Sequence, residues 1–477
     1  MMRYWLYKPF QNDGEYPMNE EIDLLVIGAG ACGLSAAIAA ADLGLTVAIV
    51  EKNSSPGGNS ALSTGSIPAA GSRFQREAGI NDTAEAYFHD LMSIAGKTDD
   101  VNLVRRLTQV SAETVEWLID TVGAKIRLIT EYKHIGHSVP RLHAPESRRG
   151  SDLVADLLNA VNVRDIPLAV GNVVRRLIVD KNCVCGAVVD IGDGTEILIN
   201  ARATLLALNG FGANKSLVER FCPEIANAQY FGAKGSDGEA IIWGEELGAR
   251  LDNMGAYQGY AAVVDPHGSI LSWTTMEKGG VLLGADGKRF GDESLGYSGY
   301  ARIVLEQGNY AFALFDQRIF EIAMHEDEFA ELEKHGGFKK GNTVIEVAAA
   351  QGLDPQAVEQ AIASYNLAAE KGFGDDHGRK VFGLAPLVGP FYSCRVIPAL
   401  FHTQGGLHVD AHARVLRNDG THIKGLYAGG GAAAGISGNE GALGYASGNG
   451  LLTAVALGRL AAIAVASEQE AKNDPAI

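Results

Sequence analysis

Apolar positions crowd into short blocks near the start of the chain. IDLLVI (22–27) is followed at once by glycines, then by LSAAIAAADLG (34–44) and TVAIV (46–50), which Glu51 closes. A short apolar run bounded by glycine predicts a buried strand, and the small-residue stretch predicts a helix ended by Gly44. Together they make a βαβ unit. Helical periodicity follows from about Asp82 to Thr121 and again over 151–160, with Ser151 or Asp152 as the cap. Between 166 and 200 the pattern alternates as in strands, with a hairpin turn at GDGT (192–195). ATLLAL (203–208) reads as a further strand running into NGFGAN. From about Arg250 to Pro390 aromatics, turns and short helices replace the regular alternation. Strand-and-turn segments resume at CRVIPALFHTQGGLHVD (394–410), ARVLRNDG (413–420) and GLYAGGG (425–431). A long small-residue helix follows GALGYASGNG (441–450). The expected architecture is α/β: a Rossmann-like nucleotide-binding domain of residues 1–249 and 391–477, split by an inserted α+β domain of residues 250–390 that caps the substrate.

The chain's 477 residues suffice for that arrangement. Its net charge of −17 argues against nucleic acid and anionic membrane surfaces as partners. The five cysteines (Cys32, Cys183, Cys185, Cys222 and Cys394) fit no zinc spacing and no haem-attachment motif, so no metal site is expected. Free thiols, an N-terminus without a signal peptide, and a last apolar run interrupted by Arg459 predict a cytoplasmic protein with no transmembrane segment.

Gly28-x-Gly30-x-x-Gly33 sits between the first strand and the first helix, and Glu51 ends the next strand. Gly28 permits the tight turn, Gly30 lets a pyrophosphate approach the backbone, and Gly33 lets helix and strand pack closely. The helix N-terminus then faces the phosphates, and Glu51 accepts from ribose hydroxyls. A second loop, Gly57-Gly58-Asn59-Ser60, follows the acidic residue, and THIKGLYAGGG (421–431) is a distant second nucleotide signal. A nicotinamide cofactor on one domain needs no such distant segment. An extended FAD does.

With these motifs on the page, the chain resembles the flavoproteins related to soluble fumarate reductase, 3-ketosteroid dehydrogenases and urocanate reductase. The marks are GAGACGLSAAIAAADLG, EKNSSPGGNS, GHSVPRLH (136–143), GADGKRF (284–290), HTQGGLHVD, GLYAGGG and SGNGLLTAVALGR. The resemblance implies non-covalent FAD, because no histidine stands near Asn59–Ser60. It extends the cofactor contacts to Ala31, Lys52, Gly58, Asn59, Ser60, Gly65, Ser66, Val173, Asn209, Gly210, Asp237, Gly405, Gly430, Ser447, Asn449, Gly450 and Leu451. Where family members carry an acidic residue this chain has Gly431, and Glu440 is the expected substitute. No second GxGxxG appears, so a separate electron acceptor is implied: a quinone, a dye-like or protein carrier, or oxygen.

Two departures bear on the reaction. Fumarate reductases carry arginines that hold dicarboxylates. One of them lies four residues after the Glu of GKRF-x-x-E, here Glu293, and the other lies four before the Asn at the last helix start, here Asn449. The matching residues are Tyr297 and Tyr445. The family's His-Pro-Thr segment is absent, with Tyr260 near its His, and His402 alone remains of the polar set. Phenols in place of guanidiniums suit a neutral ketone and resemble the Δ4-type ketosteroid dehydrogenases, whose Tyr-x-Ser pair is matched by Tyr445 and Ser447. The resemblance then implies that Tyr445 and a backbone N–H near Gly448–Gly450 hold the substrate carbonyl. Ser447 with Tyr297 would remove the proton, and hydride would pass to flavin N5.

Simpler readings stand beside these. Tyr445 packs under the helix, Ser447 or Asn449 only caps it, Tyr297 is a surface aromatic, and His402 only holds its turn; Tyr300, three residues on, is an alternative to Tyr297 in the site role. Arg141 and His143 pack against the flavin domain, and Lys288 and Arg289 pin the cap. Tyr257, Tyr260, Trp273 and Phe290 either line the pocket or fill the core. Against ketone desaturation stand the same site run as a fumarate or enone reductase, and a non-catalytic FAD-binding redox protein.

Overall fold

A computed structural model describes residues 21–131, 133–192 and 194–473. The first twenty residues, whose composition predicts no signal peptide, lie outside the described residues, as do Tyr132, Asp193 of the GDGT turn and 474–477. Two compact units are present. The described residues up to Cys222, Gly232–Tyr257 and the residues from His402 form the first, and Pro223–Phe231 with Gln258–Phe401 form the second. The chain passes between them at Tyr257/Gln258 and Phe401/His402 because the strands Gly255–Val264 and Phe391–Thr403 each run from one unit into the other. These crossings lie eight and eleven residues beyond 250 and 391, where the sequence pattern changes.

In the first unit β1 (Ile22–Ile27), α1 (Ala31–Asp42) and β2 (Val47–Glu51) form the βαβ unit, with Leu25 opposite Ala48. Parallel to β1 on its other side runs Glu196–Leu206, with Leu25 opposite Thr204. The strands His422–Ala428 and Leu168–Val170 extend this parallel sheet at either side. β1 and β2 are buried along nearly their whole length, which is why they read as apolar runs without alternation. The alternating stretch 173–200 folds as antiparallel strands, Val173–Asp180, Cys183–Asp190 and Glu196–Leu206.

Small residues let two helices lie against each other. A Cβ on Gly458 of the C-terminal helix (Asn449–Asn473) would stand 2.3 Å from Cys32 O of α1. That C-terminal helix corrects one expectation. Asn449–Ala471 is long and apolar enough to cross a bilayer despite Arg459, yet 78% of its apolar stretch is buried inside the molecule, as in a core helix. A second correction concerns the helix near 151. It starts one residue earlier and runs Gly150–Val163, with Arg149 at the N-cap and no side-chain cap. Its first residue has to be glycine, because a Cβ on Gly150 would lie 2.0 Å from Ser60 O.

The second unit is built on an antiparallel sheet in which Phe391–Thr403 pairs with Ala311–Asp316, and Ala311–Asp316 with Val281–Leu283. Its core is aromatic, with Phe320 stacked on Tyr392 at 4.0 Å between ring centres. Buried Glu293 is held by Arg289 at 2.6 Å and Arg379 at 3.0 Å. Arg289 thus braces this unit internally. Only with both cations in place is a carboxylate so deeply buried tolerable.

Candidate cofactor and active site

The turn after β1 has the geometry its glycines predict. Gly28 has φ +108 and a Cβ on it would meet Ala207 O at 2.4 Å; a Cβ on Gly33 would meet Gly28 O at 1.9 Å. Gly30 differs: the nearest atom to its Cβ would be Ser60 Oγ at 3.6 Å. Its missing side chain therefore leaves open space in front of the helix and not a packing contact. Helix α1 begins there without a side-chain cap on Gly30, and Ala31 N–H reaches Ser60 Oγ at 3.1 Å. Glu51 is buried and accepts from Ala29 N–H and Asn53 N–H, both at 2.8 Å. One backbone bond to each oxygen fixes the carboxylate while leaving each a further lone pair for a hydroxyl. Gly28, Gly30, Glu51, Lys52, Gly58, Val173 and Asn209 line one cleft.

The segment before the C-terminal helix forms a second polar centre in the same unit. Tyr445 and His402 meet edge to face with ring centres 6.4 Å apart. A Cβ on Gly450 would lie 3.7 Å from His402 Cε1. Burial lowers the His402 pKa, so the ring is neutral near pH 7. Ser447 does not cap the helix: among the described residues no backbone N–H reaches its hydroxyl. Asn449 does not cap it either, since its side chain accepts from Tyr87 Oη at 2.8 Å and meets Ser437 Oγ at 3.4 Å. The helix ladder starts with Leu452 N–H to Gly448 O, and the N–H groups of Gly450 and Leu451 make no hydrogen bond among the described residues. Unpaired donors at a helix start favour an anion or a developing oxyanion.

In the second unit Tyr297 stacks on Tyr260 at 5.0 Å, and Tyr260 stacks on Phe401 at 5.1 Å. Tyr260 Oη donates to Leu271 O at 2.9 Å, which fixes the middle ring. Tyr300 differs from Tyr297 in its surroundings. It is wholly buried against Phe290 and Trp273, and its hydroxyl lacks a partner among the described residues. Tyr297 is only half-buried.

An FAD binding domain model matches residues 23–446. The chain belongs to that family. It is 28% identical over 447 residues to fumarate reductase (cytochrome) of Shewanella frigidimarina, covering 93% of this chain and 76% of that one. The open conformation of a flavocytochrome c3 fumarate reductase is similar in structure, with a TM-score of 0.81, 28% identity and coverage of 94% and 78%. A 3-ketosteroid-Δ4-(5α)-dehydrogenase from Rhodococcus jostii, in complex with 4-androstene-3,17-dione, has a TM-score of 0.74, 25% identity and coverage of 94% and 97%. This flavoprotein is an FAD-dependent oxidoreductase acting on CH–CH or C=C groups.

The remaining cofactor positions of this FAD-binding chain sort into several kinds. Lys52 and Asp237 hold each other at 3.0 Å, and Lys52 also pairs with Glu239. Asn59 Oδ1 accepts from Ala233 N–H at 2.7 Å. Ser66 is buried and meets Arg148 Nη2 at 3.3 Å. Gly65, Gly210 and Gly405 are close-packing positions, where a Cβ would stand within 2.9 Å of Pro145, 2.2 Å of Thr403 and 2.4 Å of Met254. Gly430 has φ +60, a conformation glycine adopts without strain. At Gly431 a Cβ would lie 2.5 Å from Gly210 N, so no acidic side chain fits there. Glu440 is exposed on a two-residue strand beside Gly255, and no hydrogen bond joins it to the 430 turn among the described residues. The Leu451 side chain is buried. Arg141 is tied to Asp82 at 2.7 Å and to Asp90, and His143 is buried with Nδ1 on Arg141 O, so both are structural. His137 and Tyr87, which hold the 445–449 turn, are not visible in the sequence as site residues. Only the GHSVPRLH motif around His137 marks the region.

Proposed function

We propose that the protein desaturates a neutral cyclic ketone, a 3-ketosteroid or a smaller oxocyclohexane-type compound, placing a C=C bond beside the carbonyl. The observation that carries this reading is Tyr445. A phenol stands at the N-terminus of the C-terminal helix, edge-on to a neutral His402, where a dicarboxylate reductase would need a fixed cation.

Tyr445 Oη and the unpaired N–H groups of Gly450 and Leu451 supply donors for a carbonyl oxygen that gains charge as the α-proton leaves. Ser447, whose hydroxyl no backbone N–H engages, is the group assigned to that proton. Tyr297, oriented in its own unit by the stack on Tyr260, is assigned as the second phenol of the transfer. His402 holds the Tyr445 ring in place. FAD, held non-covalently through the Gly28–Gly33 turn and Glu51, supplies a two-electron acceptor for the hydride lost from the β-carbon. A quinone, a dye-like or protein carrier, or oxygen then takes the electrons away. The five free thiols support a reducing, cytoplasmic setting.

The similarity to fumarate reductases favours a second reading, in which the same site reduces an enone or enoate with electrons from a separate donor. Product analysis separates them. Turnover of a saturated cyclic ketone with a dye acceptor should yield the α,β-unsaturated ketone. Reduction of fumarate or an enone, with no saturated ketone oxidised, would refute the first reading.

A further inference from the structure

We propose that His137 is a positioning residue that keeps the Leu451 backbone donor, at the start of the C-terminal helix, available to the site. The proposal deepens the reading above, in that it concerns the turn assigned to the ketone and the flavin. It stands on contacts within the first unit alone.

His137 Nε2 lies 2.9 Å from Ser447 O. A carbonyl only accepts, so Nε2 carries the proton and Nδ1 is bare. Nδ1 is buried and has no partner among the described residues, an arrangement that tolerates no second proton. Burial lowers the ring's pKa to about 4, so this tautomer persists at neutral pH. The other end of the same residue is also taken: Ser447 N–H donates to Ile135 O at 3.0 Å. Both backbone polar groups of Ser447 are therefore bonded to the 135–137 loop and not to the helix.

The consequence falls on Leu451. Four residues before it, Ser447 O would be its acceptor if the helix wound back one further step. His137 holds that carbonyl toward the 135–137 loop, and Gly448 at φ +82 turns the chain out of helical geometry, so Leu451 N–H does not reach it. The Leu451 N–H stays unpaired in consequence, while the Gly450 N–H, whose acceptor four residues back would be Ala446 O, is unpaired independently of His137. The loop has no freedom to drift: a Cβ on Gly136 would lie 2.5 Å from Ala446 Cβ. The His137 ring packs on Tyr87 at 5.5 Å, and Tyr87 Oη donates to Asn449 Oδ1 in the same turn. One aromatic pair thus grips the turn on either side of Gly448.

Two variants separate donor from ring. His137→Phe keeps an aromatic ring against Tyr87 and removes the N–H; His137→Gln restores a donor without the ring. The readout is the flavin midpoint potential, measured by dye equilibration without substrate, so it decides the proposal even if no ketone is oxidised. Loss of the Leu451 donor should disfavour the reduced cofactor about tenfold in the Phe variant, a fall of about 30 mV for a two-electron couple, and Gln should recover most of it. With an oxidisable ketone, kcat should fall about tenfold in the Phe variant while KM stays within about threefold. A Phe variant with wild-type potential and kcat would overturn the proposal. If that variant yields no folded holoprotein, nitrogen-15 spectra of the wild-type imidazoles decide. A protected Nε2–H on His137 supports the assignment, and the Nδ1–H tautomer or a doubly protonated ring at pH 7 overturns it.

Discussion

At the scale of single residues the account turns on one phenol. Replacing Tyr445 by Phe keeps the ring beside His402 and removes one donor aimed at a developing oxyanion, a loss of about 3–4 kcal/mol in comparable sites. Ketone-driven flavin reduction should slow by roughly a hundred- to a thousandfold in stopped-flow traces. A rate within a few-fold of wild type would remove the carbonyl-holding role. Ser447→Ala and Tyr297→Phe should each slow the same step while leaving the visible spectrum of bound flavin intact; normal reduction in both would end the proton-transfer assignment. Gly28, Gly30, Gly33 and Glu51 were legible in the sequence because their chemistry is local to one βαβ unit. His137 was not. Its partner, the Ser447 carbonyl, lies 310 residues away, and no spacing rule connects them. Gly431 was legible only as a departure; the reason for it, the Gly210 backbone 2.5 Å from where a Cβ would stand, belongs to the packed fold.

At the scale of elements, two glycines of one motif should fail in different ways. In Gly33→Ala the new Cβ falls 1.9 Å from Gly28 O, backbone against backbone, so β1 and α1 must separate and the variant should be poorly folded with or without FAD. In Gly30→Ala the Cβ meets nothing nearer than 3.6 Å, so the apoprotein should melt within about a degree of wild type while FAD affinity falls at least tenfold. Circular dichroism melts of apoprotein and fluorimetric FAD titration distinguish the two outcomes, and equal affinity in Gly30→Ala would show that no phosphate approaches there. β1 and β2 were readable because burial on both faces makes unbroken apolar runs. The second unit was readable only as a change of texture. Its order depends on antiparallel pairings between distant segments, such as Phe312 with Arg395, which local periodicity cannot encode. Helix starts misled where no side chain caps them, as at Gly150, or where the candidate capping residue is engaged elsewhere, as Asn449 is by Tyr87.

At the scale of the whole molecule, buried neutral histidines set a pH dependence. Burial lowers His143 and His137 to about 4 from 6.5. The unfolded chain therefore binds more protons than the native one between those values, and stability rises with pH across that window. It should be complete above about pH 6.5 and be lost progressively as pH falls toward 4. Thermal melts from pH 4 to 8 should show this slope, and His143→Gln should flatten it; an unchanged slope would show that His143 does not titrate on unfolding. FAD at a hundred times its dissociation constant should add about 2.7 kcal/mol to the apoprotein. The measurement that tests the central claim most directly is the absorbance of the oxidised yellow holoprotein mixed anaerobically with a panel of saturated cyclic ketones, from cyclohexanone-type acids to 3-ketosteroids. The account predicts bleaching of the flavin band by at least one of them. A band that no ketone bleaches, in a protein whose reduced form is reoxidised by fumarate, would contradict it.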